Sequence, residues 1–267
     1  MTSPEQGAAP AVGQVLTEKS AEVMRVTISN PSKRNALTWE MYDLLEQVRD
    51  VVNSDPDLRV VVFRGAGGQA FVAGTDIRQF SAFTGEEGVR YEHRVAKVLR
   101  SLQEIRVPVI GVVEGPAVGA GLAIAACCDI IIATPDSTFG APVAMTLGNC
   151  LPPGVIARLQ SRLGAGRTMA MLMTSSLLSA SDAATAGFVH AVVERSDLDE
   201  RIRALTDRIV SSAPATLAGF KEIDNRLSTA SPNVDADDVL RRCYGSADFH
   251  EGVHAFLEHR KPQWKGL

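Results

Sequence analysis

The run VPVIGVVEGPAVGAGLAIAACCDIIIA, residues 107–133, decides the architecture. Val109 to Val113 is short, apolar and rich in β-branched residues, the pattern of a strand buried on both faces. Gly115-Pro116 breaks it with a turn. A helix of small residues then starts near Gly119, and Asp129 to Ala133 repeats the buried-strand pattern. Strand, turn, helix and strand in one segment predict an α/β protein. The run is also the most apolar of the chain. Glu114, Pro116 and Asp129 interrupt it before the ~18–20 clean residues that a membrane span needs.

The same alternation extends outward on both sides. Val12–Glu18 and Val23–Ser29 are predicted strands, closed by the turn pair Asn30-Pro31. From Thr38 to Asn53 the apolar Met41, Leu44, Leu45, Val48 and Val52 fall at helical spacing, with Thr38 as N-cap. Arg59 to Phe63 reads as another buried strand, and Glu86 to Glu104 as a second helix. From about Leu198 the patterns are helical, with no convincing strand. The organisation expected is therefore a loose Ala/Pro/Gly/Ser tail over residues 1–11, an α/β core over 12–197, and a helical region over 198–267.

The 267 residues carry 27 basic and 31 acidic side chains, a net charge of -4. That balance gives no footprint for nucleic acid or an anionic membrane surface. A chain this long buries roughly 70–75% of its unfolded surface, enough for one large core. Cys127, Cys128, Cys150 and Cys243 form no CxxC pair and read as packed thiols. The first residues lack the basic and apolar regions of a signal peptide. A soluble protein of the reducing cytoplasm is expected.

Two motifs point to other chemistries. His250-Glu251-Gly252-Val253-His254 fits HExxH, which on a helix sets two imidazoles on one face for zinc. Gly252 weakens that helix, and no convincing third ligand follows, so no metal site is expected. Gly65-Ala66-Gly67-Gly68-Gln69-Ala70 loosely matches a dinucleotide-binding turn, but the chain continues through Phe71 and Val72 instead of opening a helix. The chain contains neither a phosphate-cradling GxxxxGK[ST] nor a GxSxG elbow. Two glycine turns remain, Phe71-Val72-Ala73-Gly74-Thr75-Asp76-Ile77 and Gly115-Pro116-Ala117-Val118-Gly119-Ala120-Gly121. Glycine lets backbone approach a ligand, and the first amides of a helix lack internal partners. Two such amides converging on one oxygen would make an oxyanion hole.

Those two turns, with Asn30-Pro31-Ser32-Lys33-Arg34-Asn35-Ala36-Leu37, Cys128-Asp129-Ile130, Phe139-Gly140-Ala141-Pro142, Leu147-Gly148 and Glu251-Gly252, resemble the enoyl-CoA hydratase/isomerase (crotonase) family. The likeness runs over nearly the whole chain. It implies a spiral of ββα units with a helical C-terminal region that packs as a homotrimer or hexamer. It implies an acyl-CoA thioester as substrate, with coenzyme A present only as part of it and no permanently bound cofactor. The oxyanion amides would be those of Thr75 and Ala120. Lys33 and Arg34 would lie near the coenzyme's phosphates, and Ala36, Leu37, Ala73 and Ile77 near its adenine and pantetheine. Gly119 and Val143 would line the acyl site.

The sequence departs from the family's hydratase pattern at two points. Syn-addition of water uses one glutamate two residues after the oxyanion turn and another directly after the proline of F-G-x-P. Here Ala123 and Val143 stand there, and neither moves a proton. General acid–base groups contribute about 10²–10⁴-fold each. The expected activity is that of a lyase or isomerase of this family, with decarboxylation, isomerisation or thioester hydrolysis as alternatives to hydration. A catalytically weak acyl-CoA-binding protein is a further alternative. Glu114, at the end of the strand leading into the second turn, and Asp76 are the expected acid–base candidates. Glu92, His93, Thr146, Asn149 and Cys150 are also near.

Overall fold

The computed structural model describes residues 13–81, 83–229 and 237–263. The tail expected over residues 1–11 lies outside them. The chain opens with the antiparallel pair β1 (Gln14–Ser20) and β2 (Val23–Ser29). Helix α1 (Trp39–Ser54) leads to β3 (Val60–Gly65), and α2 (Gly85–Gln103) leads to β4 (Val109–Val113). Then come β5 (Pro116–Val118), α3 (Ala120–Cys127), β6 (Ile130–Ala133) and β7 (Thr138–Gly140). Helices α4 (Val143–Thr146), α5 (Pro153–Leu163) and α6 (Ala165–Thr174) precede β8 (Leu178–Ser179), α7 (Ala180–Thr185) and β9 (Ala191–Val192). Four helices follow among the described residues: α8 (Leu198–Val210), α9 (Pro214–Thr229), α10 (Asp237–Tyr244) and α11 (Ala247–Leu257).

The main sheet runs β1-β2-β3-β4-β6-β9, parallel from β2 onward. Its alternating side chains pack two ways. Val61, Phe63, Val109, Val113 and Ile131 enter the large core. Val60, Val62, Ile110, Val112 and Ile132 meet Leu198 and Ile209 of α8. Burial on both faces is why β4 reads as an unbroken apolar run. A smaller sheet, β5-β7-β8, stands beside it. Its strands have two or three residues, too short to leave a period-2 signal, and they are absent from the expected pattern.

The helices obey their local signals. Thr38 accepts from the Met41 amide and caps α1. Its buried face is Met41, Tyr42, Leu45, Val48 and Val52, while Leu44 turns out to be exposed. Thr84 and Glu87 form a capping box at the start of α2. The C-terminal helices are tied to the sheet by Lys221 of α9, which donates to the Val107 carbonyl at 3.0 Å and to Asp129 at 2.7 Å. No helix among the described residues is long and apolar enough to cross a membrane.

Candidate active site

The two glycine turns meet. The Val118 amide donates to the Val72 carbonyl at 3.0 Å, and the Phe71 amide to the Pro116 carbonyl at 3.0 Å. Gly121 must be glycine, because a Cβ there would lie 2.0 Å from the Val72 oxygen. Gly119 has φ 58° and ψ -114°, a conformation essentially closed to other residues. A Cβ on it would stand 3.7 Å from the Cα of Gly74 in the other turn. The Asn30–Leu37 loop braces the first turn from outside: the Leu37 amide donates to the Gly74 carbonyl, and the Asp76 amide to the Leu37 carbonyl, both at 2.9 Å. Those bonds pass over Thr75, whose N–H has no acceptor among the described residues. Ala120 is the first residue of α3, so its N–H lacks an intrahelical partner as well.

A cavity of about 190 Å³ opens at this junction. Ala73, Gly74, Thr75 and Ile77 line it from the first turn, and Gly119, Ala120 and Ala123 from the second. Val143, Thr146, Leu147 and Asn149 also line it, as does Phe256 of α11. Six of the expected site residues therefore come together: Thr75, Ala120, Ala73, Ile77, Gly119 and Val143. Lys33 and Arg34 are exposed on the bracing loop and do not line the cavity. Leu37 is fully buried in the core and Ala36 nearly so, so neither offers surface to a ligand.

Neither expected acid–base residue reaches the cavity. Glu114 is buried, but its Oε2 accepts from Arg64 at 2.6 Å and its Oε1 from Arg195 at 3.0 Å. This ion triad fastens the end of β4 to the chain beyond β9. Asp76 caps the 3₁₀ turn Ile77–Phe80 and is held by the Arg78 guanidinium, which keeps its carboxyl below the usual range. His93 pairs with Asp237 on the surface, and Cys150 turns its thiol to the Leu151 carbonyl.

Another carboxyl does reach the cavity. Glu92, on the inner face of α2, is 3% exposed and lines the wall beside Tyr91 and Val95. The Tyr244 hydroxyl of α10 donates to its Oε1. Asn149 Nδ2 in turn donates to the Tyr244 oxygen at 3.0 Å. Asn149 lines the same cavity, and its Oδ1 is buried without a partner. Burial pushes the Glu92 carboxyl up to about 8, the tyrosine hydrogen bond opposing that rise. Sequence reasoning placed Glu92 and Asn149 in the neighbourhood but missed Tyr244, which is distant in the chain. The signal that marks it is Gly88: a Cβ there would lie 2.0 Å from Tyr244 Cγ, so glycine one turn before Glu92 admits the ring.

Thr75 is fixed through its side chain. Its Oγ1 lies 2.6 Å from the Tyr42 hydroxyl and 2.8 Å from that of Tyr91. Both phenols are buried, and desolvation pushes Tyr42 up to about 12 and Tyr91 well up as well, so they stay protonated. These bonds hold the side chain of Thr75, a residue that also lines the cavity.

The HExxH segment is structural in this fold. Glu251 is held by Arg260 at 2.6 and 2.9 Å. A Cβ at Gly252 would lie 2.6 Å from the Leu147 carbonyl oxygen, so that glycine lets α11 pack on the cavity wall. Among the described residues there is no group of three His, Cys, Asp or Glu side chains able to hold a metal.

A twisted parallel sheet, a small side sheet and two converging glycine turns define a protein of the crotonase fold. A model of the enoyl-CoA hydratase/isomerase family matches residues 18–267, and the chain belongs to that family. It is 32% identical over 259 residues to the short-chain-enoyl-CoA hydratase of Clostridium acetobutylicum, covering 94% of this chain and 97% of that one. It is 33% identical to the carnitinyl-CoA dehydratase of Proteus mirabilis, over 91% and 95% of the two chains. A solved methylmalonyl-CoA decarboxylase in complex with 2-nitronate-propionyl-CoA superposes with a TM-score of 0.85 at 28% identity, covering 95% and 98%.

Proposed function

We propose that this chain is an acyl-CoA enzyme that works through a thioester enolate and does not use the two-glutamate hydration route. The substrate's carbonyl oxygen sits between the amides of Thr75 and Ala120, which stabilise the negative charge that develops there. Such donors are worth about 3–4 kcal/mol each in acyl chemistry. The observation that carries this reading is the meeting of the two turns over one cavity, with both amides left without acceptors among the described residues. Ala123 and Val143 line the same cavity and supply no proton carrier.

Decarboxylation of a 2-carboxyacyl thioester suits these walls best. Breaking the Cα–carboxylate bond releases CO₂ and itself delivers the electron pair to the enolate, so no base is required. Support comes from the likeness to the methylmalonyl-CoA decarboxylase. The cavity is smaller than the roughly 300–1,000 Å³ of ordinary ligand pockets, which favours a short acyl group. Lys33 and Arg34, exposed on the bracing loop, would meet the coenzyme's phosphates. A second copy of the chain would cover the exposed apolar row Phe220, Ile223 and Leu227 on α9, giving the expected homotrimer or hexamer. Residence in the cytoplasm remains part of this proposal.

The test is a turnover panel of crotonyl-CoA and methylmalonyl-CoA, with acyl-CoA binding followed by calorimetry. The reading expects CO₂ release from the second and hydration of the first no faster than about 1% of that of a two-glutamate hydratase. Brisk hydration of crotonyl-CoA would overturn it. Tight binding of both without any turnover would replace it with an acyl-CoA-binding protein.

A further inference from the structure

We infer that Glu92 is the proton carrier of this site, a carboxylic acid that delivers its proton to the α-carbon of the enolate and is positioned by Tyr244 and Asn149. The inference rests on the enolate reading above and adds the group that completes it.

Geometry supports it first. The cavity wall is mostly apolar, and on it Glu92 and Asn149 stand together, joined through the Tyr244 hydroxyl. One carboxyl oxygen of Glu92 is taken by Tyr244, so the other is available to carry the proton. Elements from several sides fix the arrangement. Tyr244 comes from α10, Asn149 from the segment after α4, and the Tyr42–Thr75–Tyr91 hydroxyl cluster from α1, the first turn and α2 itself. These tyrosines, with Glu92, are the titratable groups that act on one another here, and among the described residues no cation pairs with Glu92. A buried carboxyl with no cation keeps its proton near neutrality, the state an enolate needs.

The step balances simply. After CO₂ leaves, the enolate's electron pair forms a C–H bond at Cα with the Glu92 proton, the C=O bond re-forms, and Glu92 is left as carboxylate. Solvent then returns a proton to it. Run backward on the saturated product, the same step has the Glu92 carboxylate remove an α-hydrogen, exchange it with solvent and put back a deuteron. In this way Glu92 does from α2 what a glutamate at position 123 or 143 cannot do here.

The experiment measures α-hydrogen exchange of propionyl-CoA in D₂O by mass spectrometry, with propionyl-CoA affinity measured alongside. Wild-type protein should exchange the α-hydrogens, and the rate should rise with pH to a plateau above about 8, where the carboxylate form is populated. Glu92→Gln should lower exchange at least about 100-fold with affinity changed less than threefold or so. Tyr244→Phe should retain exchange but move its pH midpoint upward, because the hydrogen bond that stabilises the carboxylate is gone. A merely structural Glu92 would not shift a midpoint. Exchange unchanged in Glu92→Gln, or a Tyr244→Phe profile identical to wild type, overturns the assignment while leaving the enolate reading intact. Wild-type protein that binds propionyl-CoA without exchanging its α-hydrogens, or does not bind it at all, sinks the enolate reading itself.

Discussion

Thr75 divides its work between side chain and backbone. Its hydroxyl bonds two buried phenols, while its amide is the proposed oxyanion donor of a residue that lines the cavity. Thr75→Val should therefore cost about 1–3 kcal/mol in denaturant unfolding, the penalty for leaving buried hydroxyls unpaired. Turnover, which depends on the amide, should fall far less than the ~10²–10³-fold loss of an oxyanion donor. Glu92 makes the complementary prediction about pH. Its carboxyl ionises near 4.5 in the unfolded chain and near 8 in the folded one. Between those values the folded state holds a proton that the unfolded state has lost, so folding stability declines as pH rises through that window. Glu92→Gln should remove the decline, seen by comparing unfolding free energies at about pH 5 and about pH 9. In the sequence Glu92 is one of several charges on a polar-looking helix. Only packing distinguishes it from Glu86, Glu87 and His93, because burial is decided by which face of α2 meets α10.

Helix α2 is a packing surface as much as an element. Gly85 and Gly88 give α10 a seat, with a Cβ at Gly85 falling 2.3 Å from the Arg241 carbonyl oxygen and one at Gly88 falling 2.0 Å from Tyr244 Cγ. Helix propensity alone predicts that Gly88→Ala stabilises by about 1 kcal/mol. Overpacking predicts the reverse, a loss of about 1–3 kcal/mol, and a displaced Tyr244 that weakens proton transfer at Glu92. Thermal unfolding of that variant decides between the two signs. The long elements were legible because their signals are local: Thr38 caps α1 as expected, and β4 matches the predicted Val109–Val113. The small sheet was not, since strands of two or three residues form only where the glycine turns bring distant backbone together. Half the site was legible for the same reason. The turns at Gly74 and Gly119 are written in contiguous residues, whereas the Glu92–Tyr244 pair joins residues far apart in the chain. Glu114 misled because its strand does end at the second turn. Arg64 and Arg195, whose approach no local pattern shows, take both of its oxygens.

At the scale of the molecule, the C-terminal helices cover the sheet through Lys221 yet leave Phe220, Ile223 and Leu227 66%, 57% and 72% exposed. Apolar residues at that helical spacing invite a partner surface. Light scattering should find an assembly larger than the monomer, and Ile223→Asp with Leu227→Asp should shift it toward monomer without unfolding the core. A monomeric wild type at working concentration would contradict that proposal and leave the site chemistry standing. The central proposal is an enolate held by two backbone amides where the paired turns meet. The measurement that reaches this claim most directly is α-hydrogen exchange of propionyl-CoA in D₂O by the wild-type protein. The account predicts saturable deuterium incorporation at the α-carbon alone, well above the rate in buffer. Bound propionyl-CoA that gains no deuterium across the accessible pH range would contradict it.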